Sequence, residues 1–133
     1  MKSKKGFTLI ELLAVIVILA IIALIVTPVV SNIITSARKA ANARSVEGHV
    51  KNIEYAIIQR AFEEGTGNLG VYDSNGGAVS ASVSELLPDG DKIVCTSVTI
   101  ENGTVTAATG CQDPAWGTST FKYAEGSGAS AEQ

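Results

Sequence analysis

Residues 7–26 form an apolar run broken by only two polar side chains, Thr8 and Glu11. A helix of that length rises about 30 Å, the thickness of a bilayer's hydrocarbon core. The run therefore has to be covered by lipid or by other apolar helices. What is left of the 133 residues is rich in Gly, Ser, Thr and Ala and poor in aromatics. It has room for one domain with a modest core, which a covalent staple would help. Lys2, Lys4 and Lys5 precede the run with no acid among residues 1–6. Under the positive-inside rule they hold that end in the cytoplasm and send the rest outward, as in a single-pass membrane protein. A cleaved secretory signal fits less well, since the run exceeds a typical h-region and no small-x-small site follows it.

The formal charge of −3 hides an asymmetry. Without the three early lysines the chain has 7 basic and 13 acidic residues, a formal −6. An acidic outward portion argues against nucleic-acid binding by bulk electrostatics, and no direct nucleic-acid site is evident. Cys95 and Cys111 would lie in an oxidising compartment, where pairing is the default. Two cysteines without clustered histidines do not make a zinc site.

A helical pattern continues past the run. Val46, Val50, Ile53, Ile57 and Ala61 recur at helical spacing and predict an apolar stripe, with Arg38, Lys39, Arg44, Lys51 and Arg60 on other faces. Gly65 is the expected stop. Pro28 removes a backbone hydrogen bond and is expected to break or unwind the helix between residues 20 and 28. From residue 66 the signals change to turns and short strands. Asn102-Gly103 is expected to join Val98-Thr99-Ile100-Glu101 to Thr104-Val105-Thr106-Ala107 as a hairpin. A third strand is expected over residues 118–123, with Trp116, Phe121 and Tyr123 giving bulk to the core. A two-residue turn sets Cys95 opposite Gly110, so bridging Cys111 requires a longer loop, a bulge, or a position beyond the strand. The predicted fold is α+β, a long helix whose far half packs on a small antiparallel sheet. Its parts are residues 1–6, an apolar helix over 7–28, an amphipathic continuation over 29–65, a β-rich head over 66–125, and a small polar tail over 126–133 expected to be disordered.

The most informative stretch is Gly6-Phe7-Thr8-Leu9-Ile10-Glu11-Leu12. A carboxylate costs about 2.5–3.5 kcal/mol at the centre of a membrane helix, and less towards its edge. No cation follows Glu11 until Arg38. Cutting after Gly6 would create one, the α-amine of Phe7, about one helical turn away.

A short basic leader ending in Gly, then Phe-Thr-Leu-Ile-Glu-Leu and an unbroken apolar run, resembles the class III leader of type IV prepilins and of the pseudopilins of type II secretion and competence systems. The match covers about residues 1–30, including Pro28, where many such pilins carry a helix-breaking proline. The resemblance implies that residues 1–6 are a leader cleaved between Gly6 and Phe7 by a prepilin peptidase, which also N-methylates Phe7. Glu11 would neutralise the amine of Phe7 on an adjacent subunit. Implied partners are identical or related pilin subunits, the peptidase/N-methyltransferase, an inner-membrane assembly platform, and membrane lipid before assembly. The implied role is structural rather than enzymatic, without a cofactor or metal, ending in a cell-surface pilus. The alternatives are a pseudopilin of a secretion or DNA-uptake system, or a single-pass membrane-anchored binding protein.

Other features are read plainly. Asp89 and Asp91 in Pro-Asp-Gly-Asp are too few for a calcium site and suit a turn. Asn102-Gly103-Thr104 fits the glycosylation pattern, but the turn explains it. His49 falls off the apolar stripe and is expected to be solvated, and no nucleophile motif accompanies it.

Overall fold

The computed structural model describes residues 6–132, and its contacts divide into two compact units, Met1–Arg38 and Lys39–Gln133. Helix α1, Leu9–Glu63, contributes to both. Five antiparallel strands follow, β1 (Ser74–Asn75), β2 (Ser97–Glu101), β3 (Thr104–Cys111), β4 (Phe121–Ala124) and β5 (Gly128–Ala131), in spatial order β1-β2-β3-β4-β5. The α+β fold read from the sequence is the one observed.

In the first unit every described residue is exposed, and large apolar side chains run from Leu9 to Ile34 with no protein cover. The expected break at Pro28 is not present, because Pro28 lies inside α1. Proline deletes one bond, while the hydrogen bonds of its neighbours remain to carry the helix on. The hydroxyls of Thr27, Ser31 and Thr35 donate to the carbonyls of Ala23, Thr27 and Ser31 at 2.6, 3.0 and 2.9 Å. The helix therefore satisfies these three hydroxyls with its own carbonyls.

In the second unit α1 buries Val46, His49, Val50, Ile53, Ala56, Ile57 and Ala61. All five stripe positions read from the sequence are among them. The sheet answers with Val98, Ile100, Val105, Ala108 and Phe121, and the short helix α2 (Ala81–Ser84) adds Val83. Trp116 packs edge-to-face on Phe121, ring centroids 5.2 Å apart.

The hairpin forms where expected. Asn102 and Gly103 have φ of 49° and 81°, the left-handed pair a two-residue turn needs. Gly103 also leaves no room for a Cβ, which would lie 2.9 Å from Leu69. The register runs Glu101↔Thr104 and Ile100↔Val105, then shifts to Thr99↔Ala107. Thr106 is thus the extra residue of a bulge. That single insertion decides among the three routes to a bridge, because continuing the shifted register brings Cys95 opposite Cys111. The disulfide is formed, with the Cα atoms 3.9 Å apart and Cys111 fully buried.

Two further expectations are corrected. Residues 126–133 were expected to be disordered, yet β5 pairs with β4 from Phe121↔Ala131 to Ala124↔Gly128. Small residues carry little strand propensity, but the neighbouring ladder and a helix carboxylate recruit them: Ala129 N–H donates to Glu47 at 3.1 Å. One helical heptad later Glu54 accepts from Val105 N–H at 3.1 Å. His49, expected in solvent, is buried instead.

Candidate functional site

The site lies where α1 begins. Thr8 precedes the helix, and its carbonyl accepts the first intrahelical bond from Leu12 N–H at 3.2 Å. Its hydroxyl accepts from Glu11 N–H at 3.3 Å. Thr8 is therefore the N-cap and Glu11 the third helical residue, at the Thr-x-x-Glu spacing of a capping box of which the Thr8 hydroxyl bond is formed. Phe7 and Leu12 occupy the positions flanking such a box that often carry an apolar pair. The sequence reading singled out Glu11 for its charge and passed over Thr8. The spacing Thr8-Leu9-Ile10-Glu11 before an apolar run was the signal for it.

This geometry sets the electrostatics. Glu11 stands in the first turn, where the unpaired backbone N–H groups give the helix end a partial positive charge. An acid there gains about 0.3–1 kcal/mol, whereas a carboxylate at the centre of a bilayer costs about 2.5–3.5 kcal/mol. The helix end alone offsets only part of the penalty at depth. A full positive charge would complete the neutralisation. Gly6 and Phe7 precede the helix in extended or irregular backbone, and a Cβ at Gly6 would meet nothing. The Gly6–Phe7 bond thus lies outside regular structure. Lys2, Lys4 and Lys5 lie outside the described residues. Among the described residues one helix, α1, is long and apolar enough to cross a membrane.

Elsewhere the head's polar clusters serve packing. Asp91 closes the Pro88 turn, its N–H donating to Pro88 carbonyl at 2.8 Å. Its carboxylate accepts from Asn52 Nδ2 at 2.8 Å and Ile93 N–H at 3.3 Å and faces His49 Nδ1 at 2.8 Å. Burial alone would raise the Asp91 carboxyl, but the bonds from Asn52 and His49, the pull of His49 and the Ile93 amide outweigh it. They hold it below its ordinary range. Its oxygens are committed to tying α1 to the turn. The stripe read at spacings of four and three left out His49 because it took only the centre of a face that is wider in the fold. Cys95 and Cys111 are bonded to each other in the head, and Pro28 lies inside α1.

Comparison with known proteins bears on the same stretch. The prokaryotic N-terminal methylation motif matches residues 1–27. The chain is 30% identical over 83 residues to prepilin peptidase-dependent protein A of Clostridium perfringens (strain 13 / Type A), an alignment taking in 62% of this chain and 59% of that protein. No solved structure matches. Residues 1–27 of this chain, with Glu11 in the first turn of an exposed apolar helix, thus match the prokaryotic N-terminal methylation motif.

Proposed function

We propose that the chain is a structural subunit of a type IV pilus filament, cleaved between Gly6 and Phe7, N-methylated on Phe7 and polymerised through the apolar part of α1. The observation that carries this is Glu11, a carboxylate standing in the first turn of an uncovered apolar helix four residues after Phe7. Within one subunit the helix end compensates that charge in part. The amine of Phe7 on a neighbouring subunit completes the compensation, so a subunit is favoured in the filament over lipid. The name of the Clostridium relative, prepilin peptidase-dependent, supports processing by such a peptidase. Before assembly the chain sits in the membrane with residues 1–6 in the cytoplasm. After assembly its head is on the cell surface. A pseudopilin would share every step up to the length and place of the filament.

Intact mass of the protein isolated from cells tests the processing. The expected species starts at Phe7 and carries one added methyl group. A chain retaining residues 2–6 would overturn the reading. For the charge pair, Glu11→Val mixed with wild-type subunits should insert and be processed normally but enter filaments poorly. Incorporation equal to wild type would remove the role of Glu11.

A further inference from the structure

Helix α1 changes character within the first unit. From Leu9 to Val26 it is apolar on every side, Glu11 excepted. Over residues 27–38 it is divided. At 3.6 residues per turn, Val29, Ile33, Ala37, Val30 and Ile34 fall on one arc of about 140°. Thr27, Arg38, Ser31, Thr35, Asn32 and Ser36 occupy the opposite half, with Pro28 among them. All of these residues are exposed, and the hydroxyls of Thr27, Ser31 and Thr35 bond to carbonyls of the helix itself. A helix with two such faces fits a boundary between apolar and aqueous surroundings.

The depth of the segment identifies that boundary. With the Glu11 carboxylate at the inner border of the bilayer, a hydrocarbon core of about 30 Å ends near residue 31. The headgroup layer beyond it, roughly 5–8 Å deep, reaches to about residue 36. Arg38 stands about 40 Å from Glu11, close to the thickness of a bilayer with its headgroups. Helical side chains lean towards the N-terminus, so from that height an arginine reaches back to lipid phosphate. Among the described residues no ion pair involves Arg38. We propose that in the membrane-bound chain residues 27–38 rest on the outer lipid surface. The arc of Val29, Ile33 and Ala37 turns down onto the headgroups, the hydroxyl arc turns up to water, and Arg38 meets phosphate. A span tilted by an ordinary angle of about 20° leans its emerging end over the bilayer. The arc then selects the side that leans, so the chain waits in the membrane with one fixed rotation about its axis. The inference rests on the membrane-bound state in the reading above and not on the filament.

The test uses the full chain in vesicles of phosphatidylcholine and phosphatidylglycerol, with lipid in large excess so that copies stay apart. Ile33→Cys, Thr35→Cys and Ala37→Cys each carry one fluorescent label, the native disulfide occupying the other two cysteines. Lipids brominated near the headgroup end of the acyl chain should quench the labels at Ile33 and Ala37 several-fold more than the label at Thr35. Ala37 decides, because it stands further from the bilayer than Thr35 but on the apolar arc. Quenching graded by height alone, with Ala37 last, overturns the proposal. Shielding of Ile33 that appears only at high chain density means that a second copy covers the arc, and overturns it too. Arg38→Gln should lower the preference for phosphatidylglycerol, read with spin-labelled lipids, about fivefold, as for one surface charge. An unchanged preference overturns the phosphate contact. A label on Ile16→Cys that no lipid quencher reaches overturns the membrane-bound state itself.

Discussion

The two units of this chain solve the same problem, covering apolar surface, in opposite ways. In the head, one stripe of α1 and one face of the sheet close on each other, so that Val46, Val50, Ile53 and Ile57 are shut off completely. In the described residues 6–38, side chains of the same kind stand open on every side of the helix. The head carries its own solvent-free interior and a disulfide, whereas the N-terminal unit has helical geometry and no cover of its own. Stability in the first is intramolecular. In the second it belongs to whatever surrounds it, lipid or neighbouring copies.

The contrast can be broken most directly by the same substitution on each side. Ile57→Ala should destabilise the head by about 2–5 kcal/mol, seen as a lowered denaturation midpoint, because the site is fully packed. Ile16→Ala should leave that midpoint within about 0.5 kcal/mol of wild type, since Ile16 touches no core. Equal effects would mean the helix start helps to stabilise the head. Opening the Cys95–Cys111 bridge comes next. In the chain-entropy model a loop of this size is worth about 3 kcal/mol, and Cys95→Ala with Cys111→Ala should lower the head's melting temperature while leaving membrane insertion unchanged.

The smallest expected effect depends on pH. Asp91→Ala strands the donors of Asn52 and His49, at about 1–3 kcal/mol for a buried polar group left unpaired. The sign follows from the carboxyl held below its ordinary 3.8. Such a group stabilises the fold at pH above 3.8 and loses that contribution as pH falls through its lowered folded value. The gap between wild type and variant, measured by urea denaturation, should therefore be full at neutral pH and narrow below about pH 4. A gap that stays constant down to pH 2 would assign the effect to packing alone.

What could be read from the sequence divides along the same line. Local patterns were legible: the apolar run, the stripe over 46–61, the Asn102-Gly103 turn, and Gly6 to Leu12. Each depends on residues a few positions apart, where periodicity and turn chemistry act. Long-range partners were not. His49 reads as solvated until Asp91, 42 positions away, supplies its bond. Residues 126–133 read as a loose tail, yet β4 and Glu47 recruit Gly128–Ala131 into the sheet. Pro28 reads as a break because the cost of proline is local and visible, while the rest of a 55-residue helix that can absorb it is not. The bulge at Thr106 was one of several routes to the disulfide, and only the ladder itself could choose it.

Glu47 and Glu54 reach from one face of α1 to backbone amides on β5 and β3, the outermost and the middle strand of the sheet. Under tension along the helix within the head, sliding α1 past the sheet would tear both amides from their acceptors at once and leave them bare. The strands would share the load through two fixed points, with the Cys95–Cys111 crosslink clamping the open end of the β2–β3 hairpin. A domain wired in this way yields as a whole or not at all.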